Sequence, residues 1–215
     1  LMDTVQAKNE AQTAEETVPL YVIPDDASIA DYINLEGLDG KEKELAVPES
    51  IDHKKVTMIG KGAFKGNKYL EKVILPESIK TLGAEAFADC KELQYVYLPV
   101  DLEVINAHCF LNCTKLEEIQ IPYEIRKICR GAFQNCEKLS VMKSYVKSGI
   151  SSVREVRKDI IDYELPIQLE FIGEEAFSGC KSLKAISIPY AVTSIGKRTF
   201  YECQALENVT FHNLL

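Results

Sequence analysis

Phenylalanine recurs in this chain on a ruler of 23 residues: Phe64, Phe87, Phe110 and Phe133, then, after a gap of 44, Phe177 and Phe200. The same frame surrounds each one. Ile59-Gly60, Leu82-Gly83, Ile172-Gly173 and Ile195-Gly196 precede it, a Cys (Asn67 in the first unit) follows three residues later, and a Leu three beyond that. Two branched apolar residues one apart come next, then a proline, as in Val96, Leu98 and Pro99. A fixed period in the twenties marks a solenoid, in which each repeat is one coil stacked on its neighbours. Such a chain offers an extended surface and no closed pocket.

Within one unit, Leu93, Val96 and Leu98 alternate with Gln94, Tyr95 and Tyr97. Residues 96 and 98 share one face of a strand, and 95 and 97 the other. Pro99 removes a ladder donor and ends the strand. Stacking sets these strands side by side, ~4.8 Å apart, as a parallel sheet. Ile79-x-x-Leu82-Gly83 supplies a second apolar edge and a turn glycine. Ala86 and Phe87 follow in a segment of helical or 3₁₀ character, with the ring filling the coil. Cys90, Cys113, Cys136, Cys180 and Cys203 form a ladder whose first slot is Asn67. Cysteine packs there as a small buried hydrophobe.

The unit resembles the BspA-type leucine-rich repeat, whose pattern reads L-x-x-I-x-[IL]-P-x-x-[IV]-x-x-I-G-x-x-A-F-x-x-C. The match runs over residues 59 to 212. Val47-Pro48-Glu49-Ser50-Ile51 and Lys55-Val56-Thr57-Met58-Ile59-Gly60 resemble the opening of such an array. The resemblance implies an α/β fold: a right-handed, horseshoe-like leucine-rich-repeat solenoid with a parallel sheet and short helical or 3₁₀ turns. It also implies a bacterial protein, secreted or on the cell surface, that binds host or partner proteins. Fold alone does not settle function.

Residues 1–18 are polar and acidic and read as a flexible lead-in. Residues 19–58 read as an N-terminal capping segment in which Tyr21-Val22-Ile23 and Tyr32-Ile33-Asn34-Leu35 pair as strands over the first coil. The array then fills 59–215. Its one large departure is the 44-residue step, either a looped-out insertion or a degenerate coil at about 145–166. Ile160-x-x-Tyr163-x-Leu165-Pro166 fits the frame and favours the coil. The Ala-Phe-x-x-Cys turn is missing there, replaced by the charged run Arg154 to Asp159, and Tyr145 holds the proline slot.

A net charge of −8 argues against nucleic acid, which rewards a basic face. No apolar run reaches the length of a membrane span. The chain does not open with Met, which fits a removed signal peptide or one absent from this sequence. Seven cysteines are an odd number, and stacked ladder positions point the same way, which suits disulfides poorly. Free buried thiols fit a cytosolic protein or a secreted protein of an organism living without oxygen, and the resemblance implies the second. No Cys-x-x-Cys pair points to zinc. His53, His108 and His212 stand apart, and no nucleophile, phosphate loop or metal motif accompanies them, so no catalytic, cofactor or metal residues are assigned.

The outward strand residues of successive coils bring Ile74, Tyr95, Tyr97, Val100 and Tyr123 onto adjacent rungs. Tyrosine is enriched at interfaces because it joins a large apolar area to a polar tip, although exposed tyrosine also suits strands as such. These five are the candidate partner-binding residues of a non-catalytic interaction or adhesion module. A structural spacer or stalk in a longer surface protein is the rival reading, and carbohydrate recognition ranks lower. At the C-terminal end Val209-Thr210-Phe211 is followed by His212-Asn213-Leu214-Leu215, with no polar cap. Self-association, a further segment, or fold-back of Leu214 and Leu215 must cover that end.

Overall fold

The computed structural model describes residues 41–51, 53–145 and 165–212. Its strands are short, as a coil that turns twice within 23 residues requires. Along the chain they are β1 (Glu44–Ala46), β2 (Ser50–Ile51), β3 (Lys54–Lys55), β4 (Met58–Ile59) and β5 (Lys72–Ile74). There follow β6 (Thr81–Leu82), β7 (Tyr95–Tyr97), β8 (Val104–Ile105), β9 (Glu118–Pro122) and β10 (Lys127–Ile128). The last five are β11 (Val141–Tyr145), β12 (Phe171–Ile172), β13 (Ala185–Ile188), β14 (Ser194–Ile195) and β15 (Asn208–Phe211).

Each coil contributes one strand to a first sheet and, after the proline turn, a two-residue strand to a second. In the first, β1, β5 and β7 pair in parallel, as do β9 with β11 and β13 with β15. In the second, β4 pairs β6, and β8, β10, β12 and β14 run side by side. The register puts equivalent slots opposite each other: Val73 meets Val96, Ile105 meets Ile128, and Ile128 meets Ile172. Among the described strands, only the small hairpin of β2 and β3, before the first full coil, is antiparallel.

The third side of the coil departs from expectation. No helix forms among the described residues, so the fold there is a β-solenoid and not an α/β arrangement with helical or 3₁₀ turns. The backbone around each Phe explains why. The residues two before and two after it have positive φ, as at Glu85 (60°) and Asp89 (62°), or His108 (55°) and Asn112 (59°). A right-handed helix cannot continue through left-handed residues at this spacing. Instead three N–H groups per coil point along the solenoid axis to three carbonyls of the next coil. Gly62, Phe64 and Gly66 donate to Ala84, Ala86 and Ala88 at 2.9, 2.8 and 2.7 Å. Every later joint repeats the set, down to Glu175, Phe177 and Gly179 on Lys197, Thr199 and Tyr201.

The core is built of columns. Successive Phe rings stack with centroids 5.0–5.9 Å apart and planes within 5°. Each ladder thiol donates to the carbonyl of the preceding Phe, as from Cys113 Sγ to Phe87 at 3.1 Å and from Cys180 Sγ to Phe133 at 3.3 Å. The same carbonyl already accepts the backbone N–H of its own coil's residue at that slot, Asn67 in the first coil and a cysteine in the others, so the thiol fills its second lone pair. All seven cysteines are free.

The coil expected at about 145–166 falls mainly on 146–164, outside the described residues. The coils on either side are nevertheless in direct contact. Phe133 stacks on Phe177 at 5.4 Å, β10 pairs β12, and Gly173 N–H donates to the Ile128 carbonyl at 2.7 Å. No complete coil therefore stands between them on the phenylalanine side or in the second sheet. The first sheet differs, for no pairing joins β11 to β13 among the described strands. Residues 1–40, and with them the expected lead-in and the strand pairs at Tyr21 and Tyr32, also lie outside the described residues.

Candidate interaction surface

Strand alternation divides the first sheet into an inner and an outer row. Val73, Val96 and Ile119 point into the core, and Lys72, Tyr95 and Glu118 point out. Pairing of β1, β5 and β7 aligns two outer columns: Glu44, Lys72 and Tyr95, and beside it Ala46, Ile74 and Tyr97. β7 packs against β9, which continues the columns to Glu118 and Gln120, and β11 extends them to Val141 and Lys143.

Among the expected partner-binding residues, Ile74 is 41% exposed, and Tyr95, Tyr97 and Tyr123 are half-buried. The structure thus brings Ile74, Tyr95 and Tyr97 together on neighbouring strands. Val100 is corrected: at 6% exposure it is part of the buried interior. Its position follows from the turn after Pro99. Val100 N–H donates to Glu77 Oε2 at 3.1 Å, a bond that ties this turn to the coil before it. The same carboxylate accepts the Tyr97 hydroxyl through Oε1 at 2.5 Å. Glu77 therefore fixes the direction of the Tyr97 ring.

The electrostatics of this face are mixed. Lys72 pairs with Glu44 at 3.4 Å and Lys143 with Glu118 at 3.4 Å, both pairs largely in solvent. Exposed pairs of this kind contribute little to stability and leave the apolar column between them as the distinctive feature. Burial pushes the Tyr95 phenol above its ordinary value, so the ring presents a neutral hydroxyl. Asp162 and Glu164, expected to extend an acidic stretch beside Glu118, lie outside the described residues.

The five buried cysteines offer no nucleophile. Burial pushes the Cys90 thiol up to about 12, and Cys109, Cys113, Cys136 and Cys180 are also raised, chiefly by burial. A reactive thiol needs the opposite shift. Among the described residues no group of three His, Cys, Asp or Glu side chains is placed to hold a metal. Nor is any helix there long and apolar enough to cross a membrane. The last coil, where the sequence shows no polar cap after Phe211, exposes the apolar side chains Ile195, Tyr201, Val209 and Phe211.

A parallel stack of 23-residue coils with one aromatic, one thiol and one proline column defines a leucine-rich-repeat solenoid, the kind of fold that presents extended surfaces to proteins. The chain belongs to the BspA type leucine rich repeat family, whose model matches six copies over residues 48–156 and 156–215. A leucine rich repeat protein of T. pallidum is similar in structure, with 27% identity and a TM-score of 0.67, covering 80% of this chain and 70% of that one. A leucine-rich repeat protein of Bacteroides ovatus has 26% identity and a TM-score of 0.53, covering 78% of this chain and 45% of that one. A leucine rich cell surface protein of Faecalibacterium prausnitzii has 22% identity and a TM-score of 0.52, covering 91% of this chain and 40% of its own, and shares the fold. No curated protein matches the sequence.

Proposed function

We propose that the chain is a non-catalytic protein-interaction module of a bacterial surface or secreted protein, and that the outer face of its first sheet carries adhesion to a partner protein. The observation that supports this is the column Ala46, Ile74 and Tyr97 with Tyr95 beside it. Ile74 stands exposed in the middle of a sheet face, and the Tyr97 hydroxyl is already held by Glu77. Aromatic anchors held in one orientation before binding lose less freedom on association and dominate interface energetics. The family's association with bacterial surface proteins supports the location, and its association with host or partner proteins supports the kind of ligand. No cofactor enters this reading.

The test is binding of the purified chain to a panel of immobilised extracellular-matrix and host-surface proteins, beside the Ile74→Glu/Tyr95→Ala double variant. Loss of two interface anchors should weaken binding at least about thirtyfold. Lys127→Ala, on the second sheet, should leave it unchanged. A double variant that folds normally and binds like the parent would reject this face and leave the spacer reading.

A further inference from the structure

A side-chain amide interrupts the apolar column on the outer face of the first sheet. Ala46, Ile74 and Tyr97 are followed, 23 residues on and across the contact of β7 with β9, by Gln120. The fold makes little use of this amide. Gln120 Nε2 donates to Glu118 Oε1, two residues away on the same strand, at 3.3 Å. Gln120 Oε1 is enclosed and accepts no hydrogen bond among the described residues. Side-chain amides that serve the solenoid behave differently. Asn106, Asn112 and Asn135 each donate to the coil before their own at 2.6–2.8 Å. An enclosed acceptor without a donor costs stability, and an apolar side chain of similar shape in its place does not.

The groups around Gln120 specify the donor that suits it. The Glu118 carboxylate is held loosely. Lys143 Nζ reaches both its oxygens at 3.4 Å, and these contacts, with that of Gln120, lie beyond the ordinary hydrogen-bond range. The Glu118 and Lys143 side chains are 37% and 39% exposed. Tyr95 stands one strand before Glu118, and Tyr97 one strand before Gln120, both half-buried. The Tyr97 hydroxyl donates to Glu77 Oε1, so its hydrogen is already committed. Lys72 and Lys143, the cations of this face, are each paired, with Glu44 and Glu118. A neutral donor would serve the amide oxygen alone, whereas a cation serves the carboxylate as well. Guanidinium suits the setting better than ammonium, because it is a planar fork of donors, stacks on aromatic rings and sheds water more readily. The net charge of −8 favours the approach of a basic partner.

We propose that Tyr95, Tyr97, Glu118 and Gln120 form a subsite for an arginine side chain of the partner protein. The subsite rests on the reading that the first-sheet face binds protein, and it names the chemistry recognised there. On docking, the guanidinium displaces Lys143 from the Glu118 carboxylate. The Gln120 side chain turns to set Oε1 on a guanidinium N–H, and the two tyrosine rings flank the plane. Lys143 is then an internal competitor that occupies the carboxylate in the unbound chain.

The experiment titrates N-acetyl-arginine amide into the chain and follows the backbone amides of Tyr97 and Glu118 by NMR. Gln120→Met should weaken binding at least about tenfold. Its melting temperature should equal or exceed that of the parent, which replacement of a merely structural amide would not give. Gln120→Glu keeps the acceptor and should retain binding. Lys143→Met should strengthen binding about threefold. Lys127→Met, the same change of charge on the second sheet, should not. N-acetyl-lysine amide should bind at least about threefold more weakly than the arginine probe. The proposal is overturned if Gln120→Met binds like the parent or melts lower, if the two lysine variants act alike, or if the lysine probe binds as well. The titration needs no partner, so its outcome is separable from the adhesion test. Adhesion lost in the Ile74→Glu/Tyr95→Ala variant, with no arginine response in the parent, removes the subsite and keeps the face. Adhesion that survives that variant, with an arginine response in the parent, removes the face as the adhesive surface and keeps the subsite.

Discussion

Phe110 is the residue on which the middle of the molecule depends. Its ring is fully buried and stacked on both sides, 5.5 Å from Phe87 and 5.4 Å from Phe133. Phe110→Ala opens a cavity the neighbouring rings cannot close, and about 3–5 kcal/mol of stability should be lost. An unchanged melting temperature would show that the column is not packed as described. The thiols act at the same scale. The first slot of the thiol ladder holds Asn67. Its Oδ1 accepts the N–H groups of Tyr69 and Leu70 at 2.8 and 3.0 Å. Burial raises Cys90 from an ordinary value near 9.0 to about 12. Its thiol is therefore protonated in the folded chain where the unfolded chain has lost the proton. The contribution to stability is complete below pH 9 and declines as pH rises from there toward 12. Each such thiol should cost about 1.4 kcal/mol per pH unit in that window. Denaturant midpoints at pH 8, 9.5 and 10.5 should fall progressively, and less steeply in Cys90→Ala.

The element that distinguishes this stack is the turn around each Phe. Its left-handed positions are held by a side-chain ladder as well as by the axial bonds. Asn112 Nδ2 donates to Asp89 Oδ1 at 2.7 Å, and Asn135 Nδ2 to Asn112 Oδ1 at 2.8 Å. Asparagine and aspartate tolerate the left-handed region better than most residues. The ladder meets Gly179, which has φ +73°, and a Cβ there would collide with Asn135 Oδ1. Gly179→Ala should thus destabilise by more than the ~1–2 kcal/mol of a strained backbone alone. Gly66→Ala, at φ +74° but with open space around its Cβ, should show the backbone cost and no more. Equilibrium urea unfolding of the two variants side by side checks the difference.

For the whole molecule, the consequence of stacking is uneven stability. Repeats couple to their neighbours, so an end coil is supported from one side only. The end at Phe200 has its interior slots in solvent, while Phe64 is covered. Opening should therefore begin at the C-terminal coil and be rarest between Phe87 and Phe133. Native-state hydrogen exchange should rank the amides of Phe87 and Phe110, which donate to Cys109 and Ala132, as the slowest of the Phe column, and that of Phe200 as the fastest. Equal protection at both ends would contradict the asymmetry. The uneven stability also bears on function, since the outer face bearing Ile74, Tyr95 and Tyr97 belongs to the better supported half.

Translation along one axis explains what the sequence by itself determined. In a solenoid a 23-residue step returns each side chain to the same place one coil on, so columns in space are periods in sequence. The Phe, Cys and Ile columns, the parallel first sheet and the outward direction of Ile74, Tyr95 and Tyr97 were legible for that reason. The tertiary structure decided the rest. Glu85, His108 and Arg198 carry no local sign that they adopt positive φ, because what stabilises that backbone is the hydrogen bonding of a neighbouring coil. Helical turns were the expectation from the isolated segment, and the axial bonds prevailed. Val100 read as outward from strand alternation, yet it lies past Pro99, where the turn and Glu77 set its direction. The 44-residue step could not reveal that Phe133 stacks directly on Phe177, since spacing records how much chain intervenes and not on which side it leaves the stack.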